Sequence, residues 1–234
     1  MIKNIIAEAY KLYMPQVESE ISDLANLVQN DIINKRENDP VYQYNILEIG
    51  TKFGGTFYIW NTINPCGMNI SIDMSDGGQH GGVSEEDMDK RDLWFYERFD
   101  NCHFIRGNSH DVNTLHKFRM LFPSMPLLEG ERLPDFTPLD FLFIDGDHSY
   151  LGVKYDFKMY DPFVKKGGII AFHDIVISDR HHERNVYVGE FWKDITSNVV
   201  GDGICSYNGQ SYAFKEFVGS DDQDWAGIGV IQLL

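Results

Sequence analysis

The feature that most constrains the fold is an alternation of short apolar segments with longer amphipathic ones. The nearly continuous apolar run at 139–144 is typical of a strand buried on both faces of a parallel sheet. Helix-like periodicity separates the segments, which predicts a doubly wound α/β fold with a mostly parallel sheet. Residues 211–218 and 226–233 have no helix between them and predict a C-terminal antiparallel hairpin. The other predicted strands are 45–50, 69–73, 103–106 and 167–172.

The N-terminal part of the chain is helical in pattern. Apolar residues recur at three- and four-residue spacing over 2–34, and Pro15 either separates two helices or begins the second one. A polar stretch ending at Pro40 then marks a boundary. We therefore expect residues 1–40 to form a helical extension, acting as a substrate cap or in a homo-oligomer, and residues 41–234 to form one α/β domain.

The charge balance limits the partners of this chain. It has 20 basic and 36 acidic residues, a formal net charge of −16, which disfavours nucleic acid and anionic membrane surfaces. Three widely spaced cysteines without a C-x-x-C pair indicate a reducing compartment and no disulfide framework. No apolar stretch approaches the length of a membrane span. We expect a cytoplasmic protein whose ligands are small molecules.

A glycine-rich junction follows the first predicted strand. Gly50, Thr51, Gly54 and Gly55 lie between that strand and a helix, where glycine permits a tight turn and helix amides are free for a ligand. The spacing is neither G-x-G-x-x-G nor G-K-[ST], so a phosphate-gripping loop is not supported. A plain turn is the alternative interpretation.

Other polar residues also end predicted strands, where ligands of open α/β sheets bind. Asp73 could accept hydrogen bonds from a ribose diol, or be a solvated strand-end acid. Asn108 and Ser109 follow the third strand, and the Ser109 hydroxyl could contact an adenine ring or cap the next helix.

The segment 145–148 carries two carboxylates and an imidazole directly after the buried strand. Such dense carboxylates predict a cation or a proton nearby. If the fourth and fifth strands are neighbours, Asp145, Asp174 and His173 converge; oxygen ligands suit Mg²⁺, Mn²⁺ or Ca²⁺, and a histidine favours Mn²⁺ or Fe²⁺. His148 is a candidate general base. Asp147 is equally consistent with a helix cap and a ligand.

Two polar loops are interpreted as lids. His181 and His182 lie in a polar segment in which adjacent side chains usually diverge, so a solvated lid is favoured over a metal tract. The glycine-rich loop 77–82, with His80, is interpreted in the same way.

The sequence resembles the class I S-adenosylmethionine-dependent methyltransferases from Ile46 to about Ile195. Glu48-Ile-Gly-Thr-x-x-Gly-Gly is similar to their first motif, and Asp73 lies where their ribose-binding acid does. The segments 143–150, 166–175 and 188–192 are similar to a bacterial and phage subgroup related to the cephalosporin-biosynthesis and macrolide sugar O-methyltransferases.

The resemblance implies a seven-stranded sheet with a reversed final strand and a methyltransferase domain at 41–234. It implies O-methylation of a small hydroxylated molecule, with S-adenosylmethionine bound by Glu48, the glycine loop, Asp73, Asn108, Ser109 and Asp145. It also implies a divalent cation, usually Mg²⁺, at Asp145, His173 and Asp174, with His148 and Asp145 catalytic. His173 stands where related metal-dependent members often have a carboxylate.

Two alternatives remain from the residues alone. Asp145-Gly-Asp147 is also an Asp-x-Asp triplet, of the kind that holds the metal of a sugar nucleotide in glycosyltransferases. A non-catalytic cofactor-binding module is the second alternative.

Overall fold

A computed structural model describes residues 1–75, 82–122, 137–220 and 222–234. The helices in these ranges are α1 (Ile2–Tyr10), α2 (Glu18–Asn38), α3 (Gly55–Ile63), α4 (Glu85–Tyr96), α5 (Val112–Met120), α6 (Tyr150–Tyr160), α7 (Asp179–Glu183) and α8 (Val188–Thr196). The strands are β1 (Ile46–Ile49), β2 (Asn69–Asp73), β3 (Cys102–Arg106), β4 (Leu139–Ile144), β5 (Val164–His173), β6 (Val199–Gly201), β7 (Ile204–Tyr207), β8 (Gln210–Phe217) and β9 (Ile228–Leu233).

The described strands form one sheet in the order β3-β2-β1-β4-β5-β9-β8-β7-β6. The first five pair in parallel and the remaining four pair antiparallel. The mixed α/β sheet and the β8–β9 hairpin are as predicted. The expected number of seven strands is wrong, because the described residues form nine.

The two additional strands, β6 and β7, are short and joined by tight turns. Asn208 and Gly209, between β7 and β8, have φ angles of 50° and 79°, which suit a two-residue hairpin turn. Asp202-Gly203 similarly joins β6 to β7, with φ of 65° at Gly203. These Asp-Gly and Asn-Gly pairs are sequence signals for hairpins that periodicity alone did not identify.

Two hydrophobic cores cover the faces of the sheet. On one face, helices α1, α2 and α3 pack on alternate residues of β4, including Phe141 and Phe143. On the other face, α6 and α8 pack on Leu142 and Ile144. The N-terminal helices thus share a core with the sheet. No helix in the described ranges is long and apolar enough to cross a bilayer.

The strand register brings the predicted site residues together. Ile49 of β1 pairs with Ile144 of β4, and Ile144 pairs with Phe172 of β5. The next residue on each strand is Gly50, Asp145 and His173, so these positions lie side by side at the carboxyl edge of the sheet. Parallel pairing explains why residues distant in sequence form one site.

Candidate active site

A cavity of about 780 Å³ lies beyond the carboxyl ends of the parallel strands. Its wall combines the loop after β1, the end of β2, the turn after β4 and the segment after β5. The segment between α1 and α2 also contributes, from Tyr13 to Gln16. Of the predicted site residues, those on the wall are Gly50, Thr51, Gly55, Asp73, Ser109, Asp145, His148, His173 and Asp174.

The loop after β1 turns through two left-handed glycines. Gly50 and Gly54 have φ of 85° and 91°, a region that favours glycine. A Cβ on Gly54 would meet the Phe95 ring, so the glycine allows the loop to pack closely against α4. Gly54 does not line the cavity. The Lys52 amide donates to Asp73 Oδ2 at 2.8 Å, which ties the loop to the end of β2.

Asp73 lies between this loop and α4. Its Oδ2 accepts from Arg91 Nη1 at 2.6 Å, and its Oδ1 accepts from the Met74 amide at 3.0 Å. The carboxylate is therefore held in one orientation on the cavity wall. A charged acceptor fixed at this point suits a ligand with neighbouring hydroxyl groups.

Glu48 is fully buried and is not part of the cavity wall. Its carboxyl accepts hydrogen bonds from Thr56 Oγ1 at 3.0 Å and Trp60 Nε1 at 2.5 Å. Burial raises the pKa of Glu48 to about 8, although these two hydrogen bonds oppose the rise. Glu48 thus connects β1 to α3 through hydrogen bonds in the core. Asn108 also lies off the wall, and its Oδ1 accepts from the His110 amide.

His148 lies between two carboxylates at the ends of β4 and β5. Its Nε2 is 3.2 Å from Asp145 Oδ1, and its Nδ1 is 3.0 Å from Asp174 Oδ2. His173 Nδ1 is 3.1 Å from Asp145 Oδ1 and 3.3 Å from Asp174 Oδ1. Asp174 adopts a left-handed φ of 65°, a conformation that Asp tolerates better than most residues.

These contacts shift the proton affinities of the cluster. Burial acts to lower the pKa of His148, but the adjacent Asp145 and Asp174 outweigh it and raise that pKa well above its usual value. The same balance raises the pKa of His173 to about 9. Burial acts to raise the carboxyl pKa values of Asp145 and Asp174. The adjacent imidazoles outweigh burial and keep both pKa values below their usual range. The resting cluster therefore pairs two carboxylates with two protonated imidazoles.

The predicted cation ligands are close together but engaged with other side chains. All four carboxylate oxygens of Asp145 and Asp174 face side-chain nitrogens, including Gln16 Nε2 at 2.9 Å from Asp145 Oδ2 and His173 Nδ1 at 3.3 Å from Asp174 Oδ1. Across the described ranges, no three His, Cys, Asp or Glu side chains are arranged to hold a metal ion. In this arrangement the residues do not fit a divalent cation.

The lid interpretation is wrong for His181, which is 4% exposed. Its Nδ1 donates to the Val176 carbonyl at 2.5 Å, and its Nε2 accepts from the Ala226 amide at 3.1 Å. His181 thus fixes the segment after β5 against the turn before β9. His182 is partly exposed and pairs with Glu190 at 2.5 Å. The lid predicted at 77–82, with His80, lies outside the described residues except for Gly82.

The two capping alternatives, at Asp147 and Ser109, can be compared with the structure. Ser149 is the N-cap of α6, and Asp147 Oδ1 accepts from the Ser149 amide at 2.9 Å just before it. Asp111, not Ser109, is the N-cap of α5. Ser109 instead lies on the cavity wall.

Gln16 is a site residue that sequence reasoning missed. It lies in the irregular segment between two helices, far from any strand end, and no motif singles it out. The only available signal was its polar character within a segment that joins two amphipathic helices.

Known structures of similar fold include several methyltransferases. A proposed caffeoyl-CoA O-methyltransferase from Staphylococcus aureus is 17% identical, with a TM-score of 0.53 over 99% of this chain and 91% of that one. The CurJ carbon methyltransferase is 14% identical, with a TM-score of 0.52 over 91% of this chain and 55% of that one. At these identities the likeness shows the fold.

Sequence comparison identifies the family. An uncharacterized protein of Acanthamoeba polyphaga mimivirus is 33% identical over 129 residues, which are 55% of this chain and 50% of that protein. This chain thus matches about half the length of that relative. The profile of a methyltransferase domain matches residues 47–175, more than half of the chain, including β1, β4, β5 and the strand-end residues. The protein therefore belongs to this methyltransferase family.

Proposed function

We propose that this enzyme transfers the methyl group of S-adenosylmethionine to a hydroxyl oxygen of a small molecule. The observation that carries the proposal is a single cavity that joins a glycine-rich loop and Asp73 to an imidazole held between two carboxylates. The sulfonium of the cofactor supplies an activated methyl group. The protein then has to align the two reactants and remove the proton of the hydroxyl.

The cofactor-binding residues follow the edge of the sheet. We assign Ser109 to the adenine, Asp73 to the ribose hydroxyls, and Gly50, Thr51 and Gly55 to the amino-acid part. These residues line the same cavity and follow β3, β2 and β1 in spatial order, as an extended ligand requires. Glu48 and Gly54 support the loop without reaching the cavity.

His148 is the group we propose to take the proton of the acceptor hydroxyl. In the ligand-free arrangement both of its ring nitrogens contact carboxylates and its pKa is raised. The ring must therefore lose a proton and release one carboxylate before it can act as a base. The remaining carboxylate then orients the ring and stabilises the imidazolium that forms, as in other Asp–His pairs.

The assignment to oxygen depends on this base. The fold also includes a carbon methyltransferase, so the fold alone does not identify the accepting atom. Hydroxyl groups are weakly acidic, so a positioned imidazole at the methyl-donor end is the feature that O-methylation requires. The family assignment favours methyl transfer over the glycosyltransferase alternative, and the transfer assay below distinguishes an enzyme from a non-catalytic cofactor-binding module.

The test is binding of S-adenosylhomocysteine, followed by methyl transfer. Calorimetry should show one saturable site, and the melting temperature should rise with ligand concentration. His148→Gln should retain this affinity. It should lower the rate of methyl transfer from labelled cofactor by about 10²- to 10⁴-fold, measured on hydroxylated compounds that the wild-type protein methylates. Failure of the wild-type protein to bind S-adenosylhomocysteine would contradict the proposal.

A second expected result concerns the cation predicted from the sequence. Because the carboxylate oxygens of Asp145 and Asp174 face side-chain nitrogens, we expect millimolar Mg²⁺ to leave the melting temperature unchanged. We also expect a chelator to leave the affinity for S-adenosylhomocysteine unchanged. A Mg²⁺-dependent rise that disappears in Asp145→Asn would instead support the predicted cation site.

A further inference from the structure

Gln16 brings the N-terminal segment into the cavity. It lies between α1 and α2, is 5% exposed and forms part of the cavity wall. In the strand-end cluster it contacts Asp145, which is 129 residues away in the sequence. Burying a polar amide at this position requires an explanation, because polar side chains normally remain in water unless they are hydrogen-bonded.

The backbone around Gln16 is held in place. Its amide donates to the Met14 carbonyl at 2.9 Å, and its carbonyl accepts from the Tyr10 hydroxyl at 2.8 Å. Met14 packs closely over Gly55, whose added Cβ would lie 2.6 Å from the Met14 Cβ. The segment therefore sits directly on the first turn of α3, and the Gln16 side chain extends from a fixed point.

The Gln16 amide group is satisfied on one side only. Its Nε2 donates to Asp145 Oδ2 at 2.9 Å, while its Oε1 is buried and has no hydrogen-bond partner among the residues that the structure describes. An unpartnered buried acceptor is destabilising, because it loses its hydrogen bonds to water and gains none in return. Buried side-chain oxygens in folded proteins normally have a partner from protein, water or ligand. The orphaned oxygen at the wall of a ligand cavity thus points to a donor supplied by the ligand.

The groups around Gln16 Oε1 indicate which kind of hydrogen-bond donor the ligand supplies. An amide oxygen and a carboxylate adjacent to each other favour a positively charged N–H group. Asp145 lies next to the glycine loop, because a Cβ added to Gly50 would touch the Asp145 carbonyl. In the proposed function this loop receives the amino-acid part of the cofactor, which carries one ammonium group.

We infer that Gln16 and Asp145 together hold the α-ammonium group of the cofactor, with Gln16 Oε1 accepting one of its hydrogen bonds. This inference rests on the proposed function. The N-terminal segment then has a defined role in cofactor binding, and Gln16 also keeps Asp145 oriented toward His148.

A double-mutant cycle on the cofactor tests the inference without knowledge of the acceptor. Calorimetry compares S-adenosylhomocysteine with its desamino analogue, for wild type and for Gln16→Met, which keeps the side-chain length. We expect wild type to prefer the amino ligand and Gln16→Met to lose about tenfold in affinity for it. The affinity for the desamino analogue should stay within about twofold of wild type. Gln43→Met, at an exposed position, is the matched control and should bind like wild type.

The outcomes separate the possibilities. An equal loss for both ligands would mean that Gln16 only supports the structure, and unchanged affinity for S-adenosylhomocysteine would mean that it makes no contact; either result overturns the inference. Absence of binding to the wild-type protein would overturn the proposed function instead. Gln16→Ala provides a second variant if Gln16→Met is unfolded, as judged by its melting curve.

Discussion

Asp140→Ala should lower the free energy of unfolding by about 3–5 kcal/mol, the range for removing one partner of a buried ion pair. Asp140 lies near the start of β4 and is fully buried. Its oxygens accept from Lys165 Nζ at 2.8 Å, Lys35 Nζ at 3.1 Å and the Asn45 amide at 2.9 Å. The Tyr42 hydroxyl donates a fourth hydrogen bond at 2.5 Å. The alanine variant would leave two ammonium groups at a site built around a carboxylate.

Urea denaturation measures this loss, and Asp89→Ala is the control. Asp89 pairs with Arg106 at 2.6 Å, but its side chain is 70% exposed, so its removal should cost no more than about 1 kcal/mol. Equal losses in the two variants would contradict the role assigned to the buried cluster. Because Asp140 lies at the opposite end of β4 from Asp145, the folded variant should still bind S-adenosylhomocysteine with wild-type affinity.

The parallel half of the fold could be predicted because its signals are local. The apolar run of β4 and the glycine, acid or imidazole at each strand end are visible in the sequence. Parallel pairing then obliges Asp145 and His173 to be neighbours, and the structure has them 3.1 Å apart. Strands β6 and β7 are too short to show a period, and only their Asp-Gly and Asn-Gly turns could have revealed them.

The missed parts of the site depend on contacts between distant segments. Gln16 reaches Asp145 only because α1 packs on α3, and nothing in the local sequence fixes that packing. His181 is buried because Ala226, from the turn before β9, donates to its ring. Glu48 was assigned to the cofactor from its motif position, yet its carboxyl faces Trp60 inside the core. A motif identifies a position in the loop, whereas the direction of its side chain follows from packing.

Gly50→Ala should reduce the affinity for S-adenosylhomocysteine by about 100-fold, comparable to the effect of a 1 Å misplacement in a site. The ideal Cβ would lie 2.1 Å from the Asp145 carbonyl oxygen and 2.7 Å from the Gly146 Cα. These are backbone atoms, and the Asp145 amide is bonded to the Ile49 carbonyl at 2.9 Å, so the ends of β1 and β4 cannot separate without breaking the ladder. The variant should therefore displace the glycine loop and Asp145 together.

Gly209→Ala is the matched control, because it isolates the cost of backbone conformation from the steric clash. Gly209 has φ of 79°, close to the 85° of Gly50, but an added Cβ would meet no atom of the described residues within 4 Å. Both variants should lose about 1–2 kcal/mol of stability from the left-handed conformation. Only Gly50→Ala should lose about 1–3 kcal/mol more of stability, from overpacking. Only this variant should also show the weaker binding of S-adenosylhomocysteine. If the two variants bind S-adenosylhomocysteine equally well, the close contact between the ends of β1 and β4 does not shape the cofactor site. If binding is lost only in Gly50→Ala, the glycine is required because a backbone from another strand occupies the space where its side chain would be.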